Sequence, residues 1–222
     1  MRLRLNVNNQ IVVSTSWHRS DSSCLKFIDQ NRQWLERQLQ QAPELIGIRQ
    51  WLQHSPKLSA AGLSLVVSLE PSEGRRAHYR VDALAGRVEL RIPSGPDEAA
   101  LSRLVRQFAK DSLSQRVREL AARLAISPTK VSVRDQSSRW GSCSSRRTIS
   151  LNWRLILLRP ELLDYVIHHE LAHLSEMNHS KRFWTLLERY DPQRREHEQE
   201  LNALTPAIMR VRLAVGDEAA SA

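Results

Sequence analysis

The chain has 222 residues, 41% of them hydrophobic, enough to bury a full core as one domain or as a catalytic domain with a small extension. No apolar run approaches the roughly 18 residues of a membrane span, and Cys24 and Cys143 are too few for a disulfide framework, so a cytoplasmic protein is expected. The formal net charge of +9 rests on 28 arginines against 5 lysines, placed as pairs (Arg75-Arg76, Arg146-Arg147, Arg194-Arg195) rather than as a tract; they read first as solvated surface and second as a nucleic-acid partner face.

Met1-Arg2-Leu3-Arg4-Leu5 alternates like a strand and lacks the apolar stretch of a signal peptide, and residues 2–16 read as two short strands around Asn6–Asn9. A helix follows over 22–41 (Leu25, Ile28, Trp34, Leu35, Leu39) and ends before Pro43. Residues 43–62 are ambiguous, with a helical turn at Trp51-Leu52 before Pro56. Strands are expected at 63–69, 77–82 and 87–92, split by Ser72-Glu73-Gly74 and Gly86. Pro93 to Pro96 closes this region.

A long amphipathic helix then spans about 97–125, with Leu101, Leu104, Phe108, Val117, Leu120 and Leu124 at helical spacing. Beyond it come a strand at Lys130–Arg134, a polar loop, and a strand at Thr148–Trp153, read as a candidate sheet edge on which an extended peptide could pair. Pro160 and Glu161 open a largely buried helix carrying Leu162, Leu163, Val166, Ile167, Leu171 and Leu174. The fold class expected is α+β. Its parts are a sheet-and-helix unit over 1–96, a catalytic domain over 97–206, and a frayed tail over 207–222.

That buried helix carries His169-Glu170-Leu171-Ala172-His173, with His179 six residues beyond. Two imidazoles four residues apart share one helix face and can grip one metal ion. Glu170 is rotated about 100° from His169, beside the metal rather than bound to it, where a general base takes the proton of an activated water. With 8 His and 15 Glu in the chain, chance supplies roughly 0.02 such patterns. On a straight helix His179 would lie about 15 Å beyond His169, so it can join only if the helix ends soon after His173 and the chain doubles back. Asn178 tolerates the left-handed conformation such a reversal uses, and Ser180 can cap a new helix with Phe183, Trp184, Leu187 and Tyr190, stopped by Asp191-Pro192. Glu176 is the competing third ligand; imidazole suits zinc better, leaving the fourth position of a catalytic site for water. His168 points about 100° away from His169 and reads as structural.

Arg139-Trp140-Gly141-Ser142-Cys143-Ser144, Ile149-Ser150-Leu151-Asn152-Trp153-Arg154-Leu155, Asp164-Tyr165-Val166 before the His-Glu-x-x-His segment, and Asn178-His179-Ser180 with Phe183-Trp184 together resemble the YgjP-like metallopeptidase family. The match is close over about 97–192 and broad before that. The resemblance implies kinship with SprT-like and minigluzincin zinc proteases, a zincin-like catalytic domain, Zn2+ held by His169, His173 and His179, and Glu170 as catalytic base. Astacin- and matrixin-type proteases place glycine where this chain has Glu176, and Met209 is a poor counterpart of their Met-turn. Some members of the family are described as nucleotide pyrophosphatases rather than peptidases, which keeps a nucleotide substrate open beside a peptide or protein. Arg134, Arg139, Arg146, Arg147, Arg154 and Arg159 are the cations that a polyphosphate would need. Arg139 and Tyr165 are the candidates for stabilising a tetrahedral intermediate. Trp140 and Trp153 read as core or pocket walls, and Cys143 as a buried, inert thiol.

Overall fold

A computed structural model of the chain describes residues 1–5, 9–16, 18–93 and 97–214. The expected turn residues Asn6 to Asn8, and Ser94 to Pro96, lie outside these. The N-terminal pair β1 (Arg2–Leu5) and β2 (Ile11–Ser14) is antiparallel. The single helix expected over 22–41 is two, α1 (Asp21–Gln30) and α2 (Arg32–Gln40), parted at Asn31, whose side chain donates to the Phe27 carbonyl. Such a side-chain bond competes with the helical ladder.

The ambiguous stretch holds β3 (Ile46–Gly47), α3 (Ile48–His54) and β4 (Lys57–Ala60). The three expected strands follow as β5 (Leu63–Ser72), β6 (His78–Asp82) and β7 (Arg87–Pro93). They form one sheet in the order β4-β5-β7-β6, in which the β5/β7 pair is parallel. In β7, Val88, Leu90 and Ile92 are buried at period two, the pattern of a strand with one face on a core.

Helix α4 (Glu98–Arg123) starts where the Asp97 carboxylate accepts from the Ala100 backbone N–H at 2.7 Å, an N-cap. It buries Leu101, Leu104, Phe108, Leu113, Val117 and Leu120, and packs against the four-stranded sheet on one side and the second half of the chain on the other. One hydrophobic cluster runs from Ile48 to Leu213, so a single core holds residues from both sides of the boundary expected at 96/97.

The second half contains β8 (Lys130–Arg134), β9 (Gly141–Cys143) and β10 (Thr148–Asn152), ordered β8-β10-β9. This corrects the expected edge: β10 is the central strand, parallel to β8 and antiparallel to β9, with Ile149 and Leu151 fully buried. The edges are β8 and β9; β9 falls in the expected polar loop, since Gly-Ser-Cys carries no alternation to reveal a strand. A buried 3₁₀ turn (Trp153–Leu157) leads into α5 (Pro160–Ala172), with Pro160 at its first position. Two helices follow, α6 (Lys181–Tyr190) and α7 (Arg194–Ile208), both packed on α5.

The expected frayed tail is also corrected for residues 207–214. Ala207 and Ile208 finish α7, and β11 (Val211–Arg212) pairs in parallel with β3. Val211 is fully buried, its carbonyl accepting from Arg154 Nε at 2.8 Å, so the segment gains apolar burial and paired backbone. Among the described residues no helix is long and apolar enough to cross a membrane.

Candidate metal centre

Helix α5 ends at Ala172, and the chain reverses over His173 to Ser175. The Leu174, Ser175 and Glu176 amides fold back onto the carbonyls of Leu171 and Ala172, and Arg147 Nη1 donates to the Leu174 carbonyl at 3.2 Å. A cation on the last carbonyls of a helix satisfies groups that have no partner in the helix. Asn178 does not take the expected left-handed conformation; Asn9, Ala61, Ala125 and Arg147 are the non-glycine residues with positive φ among those described. Tight i→i+3 bonds at residues 171–176 make the reversal instead, and the Ser180 hydroxyl caps α6 by accepting from the Phe183 N–H.

The reversal brings His169, His173 and His179 together. Their candidate ligand nitrogens all lie within 4.8 Å of one another, and the Nε2 atoms of His169 and His179 are 3.1 Å apart. Phe183, fully buried, packs against all three rings at centroid distances of 4.5–4.9 Å, while Trp184 stacks on His179. The His173 Nδ1–H donates to the Glu176 carbonyl at 3.1 Å, which fixes the tautomer and turns the Nε2 lone pair toward the cluster. Glu176 thus meets the cluster through its backbone, and its carboxylate is not part of the group of candidate ligands. Burial, reinforced by the neighbouring imidazoles, pushes His169 down to about 4. A neutral ring keeps its lone pair, so the donor set fits a metal cation better than a shared proton.

Glu170 is 5% exposed, and its Oε2 has no hydrogen-bond partner. Burial pushes the carboxyl up to about 8, opposed by the charge of Arg139. The carboxylate lies against the backbone of β9. A Cβ on Gly141 would stand 2.5 Å from Glu170 Oε1 and 2.8 Å from Cγ and Cδ, so only glycine leaves room there. The loop before β9 is held by Asn152, which is fully buried. Its Nδ2 donates to the carbonyls of Gln136 (2.7 Å) and Arg139 (3.0 Å), and its backbone N–H to that of Trp140 (2.8 Å).

Between β9, α5 and α7 lies a cavity of about 200 Å³ onto which His169 and Glu170 open, closed on the far side by Glu198, Leu201 and Asn202 of α7. Tyr165 lines it; burial, then the Glu198 charge, raises the phenol's pKa and keeps it protonated. Arg139 is exposed and reaches the site through its charge on Glu170. Trp140 forms a wall, with its Nε1–H donating to Thr205 Oγ1 at 2.9 Å, whereas Trp153 is core. The Cys143 thiol is half-buried rather than buried and is pushed up to about 11 by burial and the Glu170 charge, which suppresses its thiolate. His168 faces Tyr190, away from the cluster, and burial pushes its pKa down. Sequence reasoning missed α7 and its contribution to this wall. The signal was faint: Glu198, Leu201, Asn202 and Thr205 recur at helical spacing in a strongly polar run.

Fold and site together define an α+β protein with a three-imidazole cluster that could hold a metal ion, beside a buried carboxylate and a sheet edge. The chain belongs to the family of YgjP-like metallopeptidase domains, whose profile matches residues 1–204 and so takes in both halves. Two solved structures resemble a smaller part. One is the metallopeptidase zymogen abylysin of Pyrococcus abyssi (24% identity, TM-score 0.38, covering 42% of this chain and 95% of that chain). The other is the metallopeptidase zymogen jannalysin of Methanocaldococcus jannaschii (26% identity, TM-score 0.37, covering 41% and 94%). No curated protein matches the chain.

Proposed function

We propose that the protein is a zinc metallopeptidase in which His169, His173 and His179 hold the metal and Glu170 is the general base. The observation that carries this is the convergence of three imidazole nitrogens beside a buried carboxylate oxygen that has no protein partner. Two zinc ligands at tetrahedral angles and usual bond lengths stand about 3.3 Å apart. The 3.1 Å between His169 and His179 Nε2 is close to that value. Zinc, when bound, lowers the pKa of a coordinated water toward about 7 and polarises the scissile carbonyl.

Glu170 then does the proton work. Its carboxylate accepts the water's proton and passes it to the leaving amine. Its Oε2, buried and without a protein partner, is free to accept that proton. Gly141 lets the carboxylate sit under β9, whose outer side has no strand partner among the described residues. An extended peptide added at that edge would place its backbone over Glu170. Tyr165, a protonated phenol on the cavity wall, and Arg139, whose charge reaches Glu170, are the donors available to the developing oxyanion.

The same metal centre serves a nucleotide pyrophosphatase less well. Of the six arginines that a polyphosphate would need, Arg154 is fully buried against Asp135, Arg147 is tied to the carbonyls of Ser127 and Leu174, and Arg159 is paired with Glu161 and Glu200. The cavity at Glu170 is lined by no arginine or lysine. The test is to offer the zinc-loaded protein internally quenched, unstructured peptides beside a nucleoside triphosphate panel. Peptide cleavage that stops with a chelator and returns with zinc is expected. Pyrophosphate release without peptide cleavage refutes the proposal.

A further inference from the structure

The cavity beside Glu170 has a chemistry of its own. Val166 of α5 and the buried Leu201 of α7 give it apolar lining. Two aromatic side chains, Trp140 and Tyr165, form its walls. The Trp140 ring is fastened to α7 through Thr205, whose hydroxyl donates onward to the Leu201 carbonyl at 2.7 Å. Glu198 and Asn202, one helical turn apart, bring the polar groups on the α7 side.

Glu198 is half-buried and makes no hydrogen bond or ion pair with another described residue. Arg194, one turn before it, has its guanidinium 4.9 Å over the Trp184 ring and its Nε 4.0 Å from Glu188, and Arg195, three residues before it, is exposed. Arg139 does not line the cavity. An unpaired carboxylate in a cavity also lined by apolar and aromatic side chains is complementary to a methylene stem ending in a cation. About 200 Å³ is below the roughly 300–1,000 Å³ of sites that enclose a whole small-molecule ligand, and is of the scale of one side chain.

We propose that this cavity is the substrate-specificity pocket and that it takes a lysine or arginine side chain of a peptide, selected by Glu198. The inference rests on the peptidase reading and names the substrate class for that site. The apolar lining of Val166 and Leu201 favours a basic side chain over a free α-ammonium, which has no stem to bury. A polyphosphate or an acidic side chain would meet Glu198 as a like charge.

Two measurements on the full-length, zinc-loaded protein test it. In the first, peptides blocked at both ends and differing at one scanned position carry Lys, Arg, norleucine or Glu. At one position kcat/KM for Lys or Arg should exceed that for norleucine by at least about tenfold. The ratio should fall to near one in Glu198→Gln and turn toward Glu in Glu198→Lys. Cleavage with no basic preference overturns the inference and leaves the peptidase reading intact. In the second, Nα-acetyl-lysine amide and Nα-acetyl-norleucine amide are titrated by NMR, which needs no turnover. If no peptide is cleaved, the peptidase reading fails. Tighter binding of the lysine amide that is lost in Glu198→Gln then still supports the pocket, and equal binding of the two amides overturns it.

Discussion

Replacing Gly141 by alanine tests the packing of the Glu170 carboxylate, the proposed base, against the sheet edge. The added Cβ would stand 2.5 Å from Glu170 Oε1 and 2.8 Å from both Cγ and Cδ, whereas ordinary contact begins at 3.4 Å. The carboxylate would therefore have to retreat by about 1 Å, and at 5% exposure it has little open space to enter. Overpacking of this kind costs about 1–3 kcal/mol. In a chain of this size that lowers Tm by about 3–10 °C. A 1 Å misplacement of a catalytic group costs on the order of 10²-fold in rate. The three atoms nearest that Cβ all belong to Glu170, so zinc stoichiometry should be unchanged. The assay is kcat/KM on a quenched peptide, with zinc content and Tm measured on the same preparation. Full activity at an unshifted Tm would refute the close packing of Gly141 on Glu170.

Three other substitutions probe the supports of the site. His173→Ala removes one of the three proposed ligands, so zinc measured after dialysis should fall well below one per chain; stoichiometric retention contradicts the ligand set. Asn152→Ala removes the Nδ2 donor from the carbonyls of Gln136 and Arg139 in a part-buried setting, leaving Gln136 only the 3.5 Å contact from Arg154 Nη1, at about 1–3 kcal/mol. Its Tm should drop and its kcat fall while zinc stays bound, and a wild-type kcat shows that the loop does not need Asn152. Arg116→Ala breaks the two-point pair with Asp164 (2.8 and 2.5 Å) that fastens α4 to α5. With Asp164 partly exposed, about 3 kcal/mol is expected, read as a Tm loss of roughly 10 °C; a loss under 2 °C contradicts this.

The site was more legible than its surroundings. His169 and His173 announce themselves because helical spacing converts sequence distance directly into a shared face. That His179 joins them follows from a reversal between two helices, and the Ser180 cap was readable, but the turn itself was not. The i→i+3 bonds and the Arg147 contact that close α5 use backbone groups and a residue 27 positions away, which no local pattern displays. Strand order was hidden for a similar reason. Thr148–Asn152 looks the same as an edge or a centre, and only pairing with both β8 and β9 decides it. Gly141 carried a signal whose meaning depends on a side chain 29 residues later. The helix α7 is polar along most of its length, so the three residues it lends to the cavity were masked by solvated neighbours.

The central claim is that one zinc, held by three histidines, and Glu170 together hydrolyse peptides. It is tested most directly by measuring zinc content and peptide hydrolysis on matched samples of the wild-type protein and Glu170→Gln. Near one zinc per chain in both, with hydrolysis reduced by at least about 10²-fold in the variant, is the predicted result. Hydrolysis at the wild-type rate in Glu170→Gln, or a wild-type protein that cleaves peptides without bound metal, would contradict it.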